Sequence, residues 1–219
     1  MLDIIFEDDE IIVVNKASGI ITEKNPWEDA VESQVFNHLK SHSKRAQPFL
    51  GVIHRLDRVT SGVLVFAKKK SILKVWNKCF EERMVHKQYL AISRNKLPLD
   101  TGTLDHWHFK DLKNKKALIS LEEKDGFKKC SLRYALLEKN EDAFLYELSP
   151  LTGRFHQIRA QMAYASCPII GDEKYGGGMT LKNKIALHAY RLKLDKLDKT
   201  FEAEVESNVY WKDFKHLTK

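Results

Sequence analysis

The chain has 219 residues and a formal net charge of +7, from 37 lysines and arginines against 30 aspartates and glutamates. A hydrophobic fraction of 43% beside 31% charged residues excludes a disordered or fibrous chain and suits one large domain or two closely joined subdomains. No apolar run approaches the ~18 residues of a bilayer span, the N-terminus lacks the regions of a signal peptide, and Cys79, Cys130 and Cys167 are spaced for neither disulfides nor zinc.

A cytoplasmic protein is therefore expected, and the positive balance suits a polyanionic partner. Taken in order, residues 3 to 6 and 11 to 14 read as short strands around the acidic turn Asp8-Asp9-Glu10. In the turn that follows, Asn15-Lys16-Ala17-Ser18-Gly19, Lys16 reads equally as a phosphate contact or as a solvated loop lysine. Val31, Val35 and Leu39 recur at helical spacing between Ala30 and Lys40. Ser41 to Gln47, with His42, Lys44 and Arg45, reads as a basic loop.

Two apolar runs, Phe49 to Ile53 and Val63 to Ala67, then flank the stretch His54-Arg55-Leu56-Asp57-Arg58-Val59-Thr60-Ser61-Gly62. Both read as buried strands. Asp57 sits between Arg55 and Arg58, and neighbouring positive charge favours an ionised carboxylate. Such a group suits a nucleophile or an electrostatic stabiliser better than a general acid. A structural salt bridge at a strand end fits the spacing equally well.

Lys68-Lys69-Lys70 opens a helix with Ile72, Leu73, Trp76, Cys79, Phe80 and Met84 on one face. Lys87 to Ile92 is strand-like and carries Tyr89. From Thr101 to Pro150 the pattern is one of strands, with turns at 111–116, 125–126 and 140–142. His106 and His108 share a strand face there, without the further ligands a metal needs. A strand over 144–148 leads into Leu151-Thr152-Gly153-Arg154-Phe155-His156-Gln157-Ile158-Arg159-Ala160-Gln161, which enters a helix with His156 and Arg159 on one side. Pro168 to Gly178 is rich in glycine, and Asp172 within it reads as structural. Phe201, Ala203 and Val205 alternate as a last strand, before a short helical end around Trp211 and Phe214.

The stretches His54 to Gly62, Thr152 to Arg159, Lys87-Gln88-Tyr89 and Pro168 to Gly178 together resemble the motifs of RluA-type RNA pseudouridine synthases, from about residue 3 to 206. The resemblance implies a pseudouridine synthase catalytic fold: α+β, with a central, mostly antiparallel sheet in two joined subdomains flanked by helices. It also implies one catalytic domain over 1–219. Asp57 would be catalytic, Arg159 its partner, and Tyr89 would lie against the target base. Arg55 would fill the space a flipped base leaves, and Ile158 would form an apolar wall. His54, Arg58, Lys16 and Arg154 are the remaining candidate substrate contacts. Ala17, Phe155 and Gln161 depart from family positions that often hold proline, threonine and histidine.

The implied reaction isomerises a uridine in structured ribosomal or transfer RNA. It is redox-neutral, so neither cofactor nor metal is expected. A monomer without a membrane is expected, of the compact kind that lacks an additional RNA-binding module, several of which act on transfer RNA. Two rival readings are an RNA-binding protein without catalysis and a hydrolase of glycosidic bonds using Asp57 with Asp172, which would need a defined carboxylate separation.

Overall fold

Asp8 shapes the first turn. Its Oδ1 accepts the N–H groups of Glu10 and Ile11, both at 2.8 Å, between strand β1 (Ile4–Glu7) and strand β2 (Ile11–Lys16). The computed structural model describes residues 2–42, 47–178 and 181–214. The chain divides into two compact units, residues 1–87 with 189–206 and residues 88–188 with 207–219. Lys44 and Arg45, read as part of a basic loop, lie outside the described residues.

In the first unit, helix α1 (Val31–His42) buries Val31, Val35 and Leu39, the stripe its periodicity predicts. Strand β3 (Gly51–Val52) is shorter than the apolar run before His54 suggests. Pro48 has no N–H to give a ladder, and Phe49 is left exposed. Strand β4 (Ser61–Ala67) is buried along its whole length. It pairs antiparallel with β2, Val13 opposite Val65, and with β3, Val52 opposite Phe66. A continuous run of β-branched and aromatic residues is what a strand covered on both faces requires.

Helix α2 (Lys70–Glu81) packs Ile72, Leu73, Trp76, Cys79 and Phe80 onto a core that includes Ile11, Val13, Val63 and Val65. Met84, expected on the same helical face, lies beyond the helix end. Arg83 takes φ +58°, the N–H of Met84 reaches the Cys79 carbonyl at 2.9 Å, and that of Arg83 reaches Phe80 at 3.2 Å. This is a Schellman stop with arginine where glycine is usual, and Met84 still joins the core. Strand β5 (Val85–Ser93) then leaves the unit after Lys87.

The second unit is a ladder of strands β5, β6 (Thr101–Asp111), β7 (Lys116–Ser120), β8 (Lys128–Lys139) and β9 (Phe144–Pro150), in the order β5-β9-β8-β6-β7 and antiparallel throughout. Its turns fall where polar residues mark them. Asp111 Oδ1 accepts the Asn114 N–H, Gly126 takes φ +75°, and Asn140 Oδ1 accepts the N–H groups of Asp142 and Ala143. Helix α3 (Gln157–Tyr164) packs on this sheet and buries six consecutive residues from Gln157 to Met162.

Strand β10 (Leu187–Leu194) begins in the second unit and ends in the first, where it pairs with β11 (Lys199–Glu202), Leu192 opposite Phe201. The last strand stops at Glu202, sooner than the alternation to Val205 predicts, although Ala203 stays buried. Trp211, in a turn, and Phe214, just past it, are both buried but neither lies in a helix. The architecture is α+β, as expected.

Gly62 fixes one close approach in the first unit. Its φ is +116°, and a Cβ there would fall on the backbone of Ala189 in β10. Gly62→Ala therefore combines backbone strain with a clash that no rotamer relieves, at a cost of about 2–4 kcal/mol. Urea unfolding of the variant should show a midpoint lowered accordingly, with the m-value unchanged.

Candidate active site

The signature residues form a turn leading into β4. The Asp57 carbonyl accepts the Thr60 N–H at 3.1 Å, and Asp57 itself is half-buried. Beneath the turn lies Lys16, from the end of β2. Its side chain is 1% exposed, and its Nζ donates to the carbonyls of Ala17 at 2.9 Å, Arg58 at 3.2 Å and Thr60 at 2.8 Å. Three donors meet three acceptors, so neither sequence reading of Lys16 holds. It is not a solvated loop lysine, and it has no N–H left for a phosphate. Burial pushes its pKa down to about 7, against the upward pull of Glu206 and Asp57. Glu206 in turn accepts from the backbone and hydroxyl of Ser18, and the Gly19 N–H donates to the Arg58 carbonyl at 2.7 Å.

His54 also proves to be a support for the turn. Its Nε2 accepts the Val65 N–H at 3.3 Å, just past the end of the short β3–β4 ladder, and its ring packs on Phe80. An accepting Nε2 carries no proton, so the ring is neutral. Burial, helped by the nearby Lys87 ammonium, pushes its pKa down to about 3. The two signature arginines face outward. Arg55 Nη1 meets Glu23 Oε2 at 2.9 Å, while Arg58 holds both carboxylate oxygens of Glu28, one of them at 2.6 Å. These acidic partners were not foreseen, because nothing in spacing links residues some thirty positions apart.

In the second unit, Tyr89 is buried in β5 opposite Leu148, and Ile158 is buried on α3. Arg159 is buried too. Its Nε and Nη2 form a two-pronged pair with Asp172, at 2.6 and 2.8 Å, and its guanidinium lies 5.1 Å from the centre of the Tyr175 ring. Asp172 is 1% exposed, so its structural reading gains a specific content: it holds Arg159. His156 precedes the helix rather than lying in it, with φ +50°. It still converges with Arg159, because its Nδ1 is 3.0 Å from the Tyr175 hydroxyl. Tyr175 thus joins His156 and Arg159 as a candidate residue that the sequence displayed without assigning. That hydroxyl also accepts the Ala117 N–H at 2.7 Å.

Arg154 is exposed at the approach to α3, its Nε 3.4 Å from the Lys129 carbonyl. Gln157 binds its own approach loop: Oε1 accepts from Thr152 Oγ1 and the Arg154 N–H, and Nε2 donates to the Ser131 carbonyl and to Gln161. His106 and His108 are each engaged by neighbours. Gln161 Nε2 is 3.0 Å from His106 Nδ1, and His108 Nε2 donates to the Phe155 carbonyl at 2.8 Å.

Among solved structures, human RNA pseudouridylate synthase domain containing 4 shares this fold, with a TM-score of 0.80 over 94% of this chain and 89% of that one at 23% identity. The family model described as RNA pseudouridylate synthase matches residues 10–164, which carry both signature stretches. The chain belongs to that family. It is 36% identical to ribosomal large subunit pseudouridine synthase D of Borreliella burgdorferi, over 88% of this chain and 60% of the relative. It is 34% identical to the dual-specificity RNA pseudouridine synthase RluA of Vibrio vulnificus, over 87% of this chain and 76% of the relative. The chain thus spans about three fifths of the length of the B. burgdorferi relative.

The two supports of the signature turn yield separate expectations. Lys16→Met strands three carbonyls and should cost about 2–5 kcal/mol in urea unfolding. For His54, the unfolded chain binds a proton below its ordinary pKa of 6.5, whereas the folded chain binds one only near 3. Stability contributed by the neutral ring is therefore complete above pH 6.5 and is lost as pH falls toward 3. His54→Gln keeps an acceptor that does not titrate. The stability advantage of wild type over this variant should shrink between pH 6.5 and 4.5 in thermal melts.

Proposed function

We propose that this chain isomerises uridine to pseudouridine in structured RNA, with Asp57 as the catalytic residue. The observation that carries the reading is the signature turn itself: a half-buried aspartate at the mouth of a fully buried strand, braced from below by Lys16 and flanked by two outward arginines. The family match supplies the reaction class. The reaction breaks the bond between the sugar and N1 of the base, turns the base, and joins the sugar to C5. C5 loses a proton and N1 gains one, so no redox partner or cofactor is consumed.

Roles follow the chemistry. A uridine inside folded RNA must leave its stack, at a cost of a few kcal/mol. Arg55, exposed and paired with the surface carboxylate of Glu23, is proposed to fill the vacated space. Tyr89 is proposed to stack on the extruded base, with Ile158 as an apolar wall. Arg159 is proposed to supply the positive charge that Asp57 works against, its orientation fixed by Asp172. Arg58 and Arg154 are proposed phosphate contacts. Large-subunit ribosomal RNA is the substrate to test first, because the B. burgdorferi relative is named as a synthase of that class. Transfer RNA is the second, given the dual-specificity relative. The protein is proposed to act as a monomer in the compartment that holds these RNAs. Among the described residues, no helix is long and apolar enough to cross a membrane.

The test is pseudouridine mapping on transcripts of both RNAs after incubation with purified protein. Asp57→Asn should yield no product and bind RNA within about three-fold of wild type. Product from that variant at a near-normal rate would remove Asp57 from the mechanism, and free uracil as product would indicate a hydrolase. Arg159→Ala should lower turnover per folded molecule by roughly 100-fold or more, the scale of a lost electrostatic contact. Asp172→Asn keeps an acceptor for Arg159 and should stay within roughly ten-fold. Equal losses in both variants, tracking the folded fraction in melts, would make Arg159 purely structural.

A further inference from the structure

Trp27 is 90% exposed, more than any other large apolar side chain among the described residues. It is nevertheless presented by an ordered loop. Asn25 Oδ1 accepts the N–H groups of Trp27 at 2.8 Å and Glu28 at 3.0 Å, Pro26 fixes the intervening backbone, and Asn25 Nδ2 donates to Glu28 Oε1 at 3.2 Å. The loop is tied to α1 through Lys24 N–H on Glu32 and Gln34 on Asp29. An indole displayed on a braced turn loses little further freedom when it meets a partner.

What lies beside it indicates the partner. The same short loop carries Glu23 and Glu28, the carboxylates that hold Arg55 and Arg58. Both pairs are substantially exposed, and exposed ion pairs contribute little to stability. A backbone phosphodiester offers a guanidinium the same two-pronged pair of acceptor oxygens with the same single negative charge. The two glutamates therefore stand where RNA would bind and can be exchanged for it. Exchange would leave Trp27 at the edge of a bound strand, where an aromatic face is worth most to an unpaired base.

We propose that residues 23–28 form an RNA-contacting arm: Trp27 stacks on an unpaired base of the substrate, while Glu23 and Glu28 release Arg55 and Arg58 to the strand. The proposal rests on the reading above only in taking RNA as the ligand. It names a contact that lies outside both signature motifs and therefore bears on which RNA is chosen.

The experiment uses the full chain carrying Asp57→Asn, so that turnover does not confound binding, with large-subunit ribosomal RNA transcript as the probe. Trp76 and Trp211 are buried and Trp107 is half-buried, so the RNA-dependent change in tryptophan emission should come chiefly from Trp27. RNA should quench it, and Trp27→Phe should abolish most of the quench while binding within about three-fold. Trp27→Ala should weaken binding by about 5- to 50-fold, the scale of one lost base stack, with the salt dependence unchanged because no charge is removed. Its thermal midpoint should match the parent, since the side chain is 90% exposed. Glu28→Gln should tighten binding by a few-fold. Unchanged affinity for Trp27→Ala together with unquenched emission would overturn the proposal, whatever other partner the loop has. Quenching and weakened binding with no pseudouridine formed by the chain with Asp57 intact would instead leave the arm standing and sink the assigned reaction.

Discussion

The first unit depends on one cation taken out of water. Lys16 ends β2, and in the antiparallel register it stands opposite Gly62 at the start of β4. The missing side chain at Gly62 lets Ala189 of β10 close in, and the Lys16 side chain itself is 1% exposed. Its charge is offset by carbonyl dipoles instead, and two of those carbonyls belong to Arg58 and Thr60, just past Asp57. A neutral amine would keep two donors for three acceptors. The full set of bonds therefore exists only in the charged form, and the nearby carboxylates of Glu206 and Asp57 favour that form against burial. The geometry of the aspartate turn and the protonation of Lys16 are thus one problem.

The second unit uses buried polarity in the same way around a helix that could not stand alone. An eight-residue helix is marginal in water, and α3 has no side-chain cap at its start. It is held from its flanks. Gln157 binds the approach loop and β8, Gln161 donates to the Leu104 carbonyl of β6, and Arg159 closes on Asp172. A buried ion pair of this kind is weak evidence of stability, because two desolvated charges roughly cancel their attraction. Its use here is orientation, since two prongs and an aromatic face leave the guanidinium little rotational freedom.

How much of this could be read from the sequence differs by residue. The strands around Asp8 and the apolar stripes of α1 and α2 were legible, because periodicity records which face is buried. The signature turn and α3 were legible as motifs. Lys16 was misread because a lysine after a strand is usually solvated, and only the tertiary register reveals three waiting carbonyls. The Glu23 and Glu28 pairings, and the convergence of His156 and Arg159 on Tyr175, join residues with no fixed spacing between them. The position of Met84 was missed for a local reason: an arginine at φ +58° ended the helix, where the chain offered no glycine as a signal.

The three departures from the resembled motifs are each absorbed by neighbours. Ala17 lacks the fixed φ of proline, but its turn is restrained by three bonds: Lys16 on the Ala17 carbonyl, Ser18 on Glu206, and the Gly19 N–H on Arg58. Phe155 gives up a hydroxyl, yet its ring stacks on His156, lies beneath the Lys110 ammonium, and leaves its carbonyl to accept from His108. Gln161 replaces a titratable ring with an amide that both donates and accepts without changing charge, and burial has already pushed the adjacent His106 toward neutrality. In each case what the position must supply is a fixed direction for the backbone or for one polar atom. Several side chains can supply it once the neighbouring residues provide the complementary group.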